Sequence, residues 1–241
     1  MDIQNIFVLT GAGISAESGL GTFRDRGGVW SRFDPMRLAT PEAFAADPVL
    51  VHDFYNMRRR DAMKAEPNPA HAALARLEAE LTSRGGRLFL CTQNVDDLHE
   101  RAGSREVVHI HGELLRARCA HCGASREWRE DLSVETPCPD CGKTGGMRPD
   151  VVWFGEMPKH LDAIEDALLK SDLFVAIGTS GAVYPAAGYA AQAREFGIPT
   201  LALNLEAADN AGMFGKTRLG RASETVPAFV ADILAGGESA G

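Results

Sequence analysis

The stretch Ile6-Phe7-Val8-Leu9-Thr10-Gly11-Ala12-Gly13 decides how this chain is read. A short apolar run that stops at a Gly-x-Gly reads as a buried strand feeding a glycine turn and then a helix. Three further runs share the form: Leu88-Phe89-Leu90-Cys91, Leu173-Phe174-Val175-Ala176-Ile177 and Thr200-Leu201-Ala202-Leu203. Each passes into a polar or glycine-rich segment, respectively Thr92-Gln93-Asn94, Gly178-Thr179-Ser180 and Asn204-Leu205-Glu206. Helical patterns separate them, around residues 41–64, 70–83, 159–170 and 186–196. Strands alternating with helices predict an α/β fold, a parallel sheet with helices on both faces and ligands held beyond the strand carboxyl ends.

Four of the five cysteines form two Cys-x-x-Cys pairs, Cys119/Cys122 and Cys138/Cys141, with fifteen residues between them. Thiolates two residues apart on a tight turn reach one Zn²⁺, and a second such turn completes the tetrahedron. Four unrelated buried thiols are the alternative, and the turn-forming neighbours His121, Gly123, Pro137, Pro139, Asp140 and Gly142 argue against it. A closed four-thiolate site has no open coordination position, so its expected role is structural. This segment, roughly 115–150, interrupts the strand–helix alternation. The helical stretch at 35–70 stands where a plain Rossmann-like domain would go straight to its second strand. The chain thus divides into a Rossmann-like domain (1–34, 71–114 and 151–241), a helical insert (35–70) and a zinc-binding module (115–150). The two insertions are expected to pack together, and the cleft between them and the sheet is the default site.

Composition narrows the function. At 241 residues the chain holds one large domain, or one plus a small insert, and 45% of it is hydrophobic with no low-complexity tract. Folding is expected throughout, the Gly-Gly-Glu-Ser-Ala-Gly tail excepted. A net charge of −8 makes a poor general binder of nucleic acid, where a basic footprint supplies most of the affinity. Met1-Asp2-Ile3-Gln4-Asn5 carries no signal peptide, and no apolar run approaches the roughly 20 residues that span a bilayer. Cysteines in a zinc pattern, with only Cys91 left over, suit a reducing compartment, so the expectation is a cytoplasmic monomer without membrane or nucleic-acid partners.

Gly11-x-Gly13 after a strand is a phosphate-binding turn, where backbone N–H groups at a helix start meet an anion. On its own it is equally a tight turn, because Ala16 occupies the third glycine's place. A dehydrogenase also needs an acidic residue at the end of its second strand, about 20 residues on. Here the next apolar strand begins near Leu88. A nucleotide fits this chain; hydride transfer does not.

Several blocks then fall in one order: Gly11-Ala12-Gly13-Ile14-Ser15-Ala16-Glu17-Ser18-Gly19 through Thr22-Phe23-Arg24, Thr92-Gln93-Asn94-Val95-Asp96, His111-Gly112, the cysteine quartet, and Val151-Val152-Trp153-Phe154-Gly155-Glu156. With Gly178-Thr179-Ser180 and Asn204-Leu205-Glu206 they cover nearly the whole chain, which resembles the sirtuins, NAD-dependent protein-lysine deacylases. The resemblance implies that the acyl-lysine oxygen attacks the nicotinamide ribose, nicotinamide leaves, and the acyl group ends on ADP-ribose. It makes His111 the general base, a role that suits imidazole's near-neutral pKa. His109, two residues earlier, is the rival and would share a face with His111 on an extended strand. His52, His71 and His99 are expected to be surface or packing residues.

The same resemblance assigns NAD contacts to Gly11, Ala12, Gly13, Ser15, Glu17, Thr22, Phe23, Arg24 and Trp30 around the glycine loop. Gln93, Asn94 and Asp96 fall at the nicotinamide and its ribose. Gly178, Thr179, Ser180, Asn204 and Glu206 suit the adenosine half, and Ala222 is placed in the loop before the last helix, over the adenine. Val152, Phe154, Gly155 and Glu156 face Gly181-Ala182-Val183-Tyr184 across an extended substrate peptide, bound by strand addition with weak sequence selectivity. Gly21 departs from the family, standing where many relatives carry proline.

Tyr55 and Arg58, three residues apart, share a helix face. They resemble the pair with which class III sirtuins read the free carboxylate of succinyl-, malonyl- or glutaryl-lysine; a guanidinium fork matches a carboxylate and a phenol adds one donor. Acceptance of both acetyl-lysine and acidic acyl-lysines is the expectation. Two rivals stay open on the sequence: an NAD-dependent protein ADP-ribosyltransferase, which shares cofactor and site, and a non-catalytic zinc-ribbon binding module.

Overall fold

The computed structural model describes residues 3–21, 34–181, 185–208 and 210–236. The chain starts with strand β1 (Asn5–Thr10), a single helical turn α1 (Ala12–Ser15) and a 3-10 turn at Ala16–Ser18. Helices α2 (Pro41–Ala46), α3 (Pro48–Lys64) and α4 (Pro69–Ser83) lead to β2 (Arg87–Thr92), the short α5 (Leu98–Arg101) and β3 (Val107–His109). Next come β4 (Gly112–Cys119), β5 (Ser125–Glu127), β6 (Met147–Val151), α6 (Leu161–Leu169) and β7 (Leu173–Ile177). The remainder is α7 (Tyr189–Glu195), β8 (Thr200–Asn204), β9 (Lys216–Leu219) and α8 (Ala222–Leu234).

Six strands form one parallel sheet in the order β3-β2-β1-β7-β8-β9. The apolar runs are continuous because the sheet is covered on both faces. In β1, Ile6 and Val8 join Leu88, Leu90, Val175, Leu201 and Leu203 against α4 and α8. Phe7 and Leu9 point the other way, joining Phe89, Cys91, Phe174 and Ala176 against α6 and α7. Cys91, the odd cysteine of the sequence, is therefore a fully buried core residue. Each large apolar side chain buried this way stabilises the fold by roughly 1.5–3 kcal/mol.

Helix starts are written locally. Asp47 accepts from Leu50 N at 3.0 Å and opens α3, with Pro48 at its first position. Asn68 and His71 make a reciprocal cap on α4, and the Asn68 amide also donates to Ile14 O at 2.8 Å, fastening α4 to the glycine turn. Ala222 is the first residue of α8 and not part of a preceding loop, contrary to the sequence expectation. Its helix is capped from far away: Glu17 accepts from Ser223 N at 2.9 Å and from Ser223 Oγ at 2.8 Å.

The second sheet, antiparallel in the order β5-β4-β6, carries the cysteines. It packs on α3 through Leu114, Val151 and Trp153 against Val51, Phe54, Tyr55 and Ala62. Polar groups reinforce this seam, with Arg59 Nε donating to Leu114 O (3.0 Å) and Asn56 Nδ2 to Leu132 O (2.8 Å). Among the described residues no helix is long and apolar enough to cross a membrane.

Candidate active site

The carboxyl ends of the parallel strands and the second sheet enclose a cavity of about 1030 Å³. At the sheet end, Gly11 N donates to Ile177 O (2.9 Å), Gly13 N to Gly178 O (2.8 Å) and Gly178 N to Leu203 O (2.9 Å). These loops lie so close that a Cβ on Gly13 would sit 2.7 Å from the Gly178 Cα, and one on Gly11 2.8 Å from the Gly178 oxygen. The Gly-x-Gly is thus demanded by the protein's own backbone. Its helix is shorter than the sequence implied, a single turn ending in a 3-10 turn. Asn204 fixes the neighbouring loop, its amide exchanging two hydrogen bonds with the Thr179 backbone (3.1 and 3.2 Å). Gln93 Nε2 donates to Thr179 Oγ1 at 3.1 Å.

Behind the middle of the cavity lies a buried polar cluster. Asn94 Nδ2 donates to Ser15 Oγ (3.0 Å), and Ser15 Oγ donates to Asp96 Oδ2 (3.2 Å). Burial raises the Asp96 carboxyl above its ordinary value, against the lowering effect of hydrogen bonds from Leu98 N and Ser15. His52, His71 and His99 are all buried: His52 packs, His71 caps α4, and His99 Nε2 lies 3.1 Å from Thr10 Oγ1; burial pushes the His71 imidazole down to about 4.

His111 lines the cavity, whereas His109 is buried beneath it. The two do not share a strand, because β3 ends at His109 and a turn intervenes before β4. His111 Nδ1 lies 3.2 Å from Gln93 O. A carbonyl only accepts, so Nδ1 carries the proton and Nε2 is the free base. Burial lowers the His111 pKa, the Gln93 carbonyl opposing it in part. His109 instead meets two acceptors, Asn94 O at Nδ1 (3.1 Å) and Glu100 Oε1 at Nε2 (2.7 Å), and carries a raised pKa despite its burial.

At the far end, Tyr55 and Arg58 of α3 both line the cavity. Tyr55 is 2% exposed and burial pushes its phenol up to about 12, so it is neutral. Arg58 is half-buried, stacked 5.8 Å from the Phe54 ring, and has no carboxylate within ion-pair distance among the described residues. Val152, Phe154, Gly155 and Glu156 complete that wall, with the Glu156 carboxylate bound to Arg148 at 2.7 and 2.9 Å.

Ala12, Glu17, Ser180, Glu206 and Ala222 also line the cavity, so the described members of the sequence-derived cofactor and substrate set border it, Gly181 excepted. Thr22, Phe23, Arg24, Trp30 and the 182–184 segment lie outside the described residues. Trp153, Asp61 and Arg221 border the cavity without having been singled out. Trp153 sits inside a quoted motif, but no local signal distinguishes it there; Arg221 is legible only as a cation preceding a helix.

The four cysteine sulfurs lie within 4.8 Å of one another, with Cys119–Cys141 at 3.9 Å and Cys122–Cys138 at 3.7 Å. Tetrahedral zinc with ~2.3 Å Zn–S bonds needs sulfurs about 3.8 Å apart, so the quartet fits the ion. Gly123 N to Cys119 O and Gly142 N to Cys138 O, both 2.8 Å, close two equivalent turns. Their glycines take φ of 76° and 72°, a region that favours glycine.

Residues 11–185 match the model of the Sir2 family. The chain belongs to the Sir2 family. It is 58% identical over 233 residues to a Caulobacter vibrioides protein named NAD-dependent protein deacylase, covering 97% of this chain and 98% of that one. Among solved structures, a Sir2 homologue variant in complex with ADP-ribose superposes with a TM-score of 0.89 at 38% identity, over 98% of this chain and 94% of the other. A Sir2 homologue–NAD complex gives 0.85 at 37% identity, over 98% and 91%. Family membership accounts for the parallel sheet, the glycine turn and the cysteine-bearing second sheet together.

Proposed function

We propose that this chain is an NAD-dependent protein-lysine deacylase that takes acetyl-lysine and acidic acyl-lysines such as succinyl- and malonyl-lysine. The observation that carries the acidic part is the Arg58 guanidinium, half-buried in the cavity wall beside a neutral phenol, where Asp96 and Asp61 act on it only through space and no carboxylate of the described residues lies within ion-pair distance. A partly desolvated charge without a directly paired partner is costly, and a ligand carboxylate lowers that cost while matching the guanidinium fork. Protein relatives named deacylases and the family itself support the reaction class.

NAD would lie along Gly11, Ala12, Gly13, Ser15 and Glu17, with Gly178, Thr179, Ser180, Asn204, Glu206 and Ala222 at the adenosine half. Gln93, Asn94 and Asp96 would bracket the nicotinamide ribose. When bound, NAD supplies an activated ribose carbon with a departing nicotinamide. The protein's part is to hold groups in line. Asn94 and Asp96 are oriented through Ser15, whose hydroxyl accepts from one and donates to the other. His111 takes a proton at Nε2, which its lowered pKa and fixed tautomer leave unprotonated near neutrality. Val152, Phe154, Gly155 and Glu156 would offer main-chain groups to an extended acyl-lysine peptide. Zn²⁺ on Cys119, Cys122, Cys138 and Cys141 would hold the second sheet against α3, a structural role. The division into a Rossmann-like domain, helical insert and zinc module, a monomeric state and a cytoplasmic location belong to the same reading.

The test is a kinetic panel of acetyl, malonyl, succinyl and glutaryl peptides with NAD, run on the wild type and Arg58→Met. The expected result is nicotinamide and O-acyl-ADP-ribose from acetyl and acidic substrates, with Arg58→Met lowering kcat/KM for the acidic ones at least about tenfold relative to acetyl. Equal loss for all four peptides removes the carboxylate-reading role. Label from NAD appearing on protein, with no free O-acyl-ADP-ribose, would replace deacylation by ADP-ribosyl transfer.

A further inference from the structure

The phenol at the end of the cavity is held by another residue. Trp153 Nε1 donates to Tyr55 Oη at 2.9 Å, and both side chains are 2% exposed. A phenol offers one donor and accepts through its lone pairs. With the indole N–H on the acceptor side, the Tyr55 O–H has no protein acceptor among the described residues, and both residues line the cavity. The indole is itself clamped. The Arg148 guanidinium carbon lies 3.3 Å from the Trp153 ring centroid. Arg148 Nη1 and Nη2 donate to the two Glu156 oxygens, and Nη2 also donates to Val151 O at 2.8 Å. Glu156 Oε2 then accepts from Trp153 N at 2.9 Å, closing the loop on the same residue. A ring fixed on its face and at its backbone leaves its N–H one direction.

We propose that Trp153 is a positioning residue for acidic-acyl recognition: its indole N–H occupies the acceptor side of Tyr55, so that the phenol's only proton is offered into the cavity beside Arg58. The proposal rests on the acidic-acyl reading above. It makes recognition depend on strand β6 of the cysteine-bearing sheet, through Arg148, as well as on helix α3. An unclamped phenol would spend its donor on water or its neighbours and would meet a carboxylate in many orientations; preorganisation removes that cost.

A double-mutant cycle tests it. Trp153→Phe keeps a ring but deletes the N–H, and Tyr55→Phe deletes the hydroxyl; the readout is the ratio of kcat/KM for succinyl over acetyl peptide. Each single variant is expected to lower the ratio about tenfold, as for one oriented hydrogen bond to a charged group, and the double variant to fall no further than Tyr55→Phe alone. Additive losses, or equal losses on both substrates from Trp153→Phe, would overturn the proposal and leave the indole as packing. If Trp153→Phe does not fold, replacing Trp153 with benzothienylalanine, which keeps the bicyclic shape without an N–H, reads the same ratio. The two claims fail separately. An unchanged ratio in both Tyr55→Phe and Arg58→Met sinks the acidic-acyl reading, whereas a lowered ratio there with none in the tryptophan variants sinks only the positioning role.

Discussion

One end of the cavity is made of main chain and the other of side chains, and they specify in different ways. At the sheet end Gly11, Gly13 and Gly178 bring two loops into backbone contact, and Asn204 holds the second loop by imitating a strand partner. At the far end Tyr55, Arg58, Trp153, Arg148 and Glu156 form a connected set of rings and charges on α3, β6 and the turn that follows it. A backbone surface cannot be retuned by substitution, since every added Cβ displaces the chain itself. A side-chain surface can change by single atoms. The first suits a ligand that never varies, the second a group that does.

Gly13→Ala is the harshest trial of that contrast. Its Cβ would meet the Gly178 Cα at 2.7 Å and oxygen at 2.9 Å, both backbone atoms that cannot step aside. An ångström-scale shift of the loop is expected to lower kcat/KM for NAD by about a hundredfold or more, alike with acetyl and succinyl peptides. A changed succinyl-to-acetyl ratio in this variant would break the separation of the two ends. Zinc removal should come next. Strand β4 begins directly after His111 and ends at Cys119, while β6 pairs with it and carries Arg148. Chelation is therefore expected to cost at least about tenfold in both activities together, tracking zinc release into an indicator dye. Full activity after complete release would show that the second sheet holds its shape without the ion. Smaller again, Arg58→Lys keeps the charge but loses the fork, and should lower the succinyl-to-acetyl ratio severalfold.

Much of the backbone-built end could be read from sequence because its signals are local. Four of the six parallel strands are unbroken apolar runs, and the glycines and Asn204 stand at their ends. The two missed strands are edges: β3 has three residues, and β9 is Lys-Thr-Arg-Leu with little buried. Such strands bury one side at most and so lack the apolar signature. Ala222 was misplaced because its helix cap comes from Glu17, some two hundred residues away. The side-chain end was legible only as separate motifs. The Trp153–Tyr55 hydrogen bond joins residues 98 apart, and its existence depends on how the second sheet docks on α3. The spacing argument for His109 and His111 failed for a related reason, since the turn between β3 and β4 sends the two rings to different neighbours.

His109 is where the two constructions meet, a side chain that supports main chain, and its removal should have the smallest effect on activity, being felt in stability instead. Both its nitrogens face acceptors, the Asn94 carbonyl and Glu100, an arrangement that favours the imidazolium. Burial by itself would lower its pKa, but Glu100 and the Asn94 carbonyl, with a smaller contribution from Glu113, raise it overall. The other charged or titratable groups facing it are the buried Asp96 and the neutral His99. For a histidine raised above its ordinary value near 6.5, the stabilisation is complete below that value and fades as pH rises through the folded pKa. His109→Gln cannot titrate. Its deficit against the wild type is therefore expected to be about 1–3 kcal/mol below pH 6, a shift of several degrees in Tm, and to shrink steadily toward pH 8 and above. A deficit that stays constant across that range would mean that the ring is neutral and merely packed. It would then brace the Asn94 loop by shape alone, and the side-chain contribution to the backbone-built end would be steric rather than electrostatic.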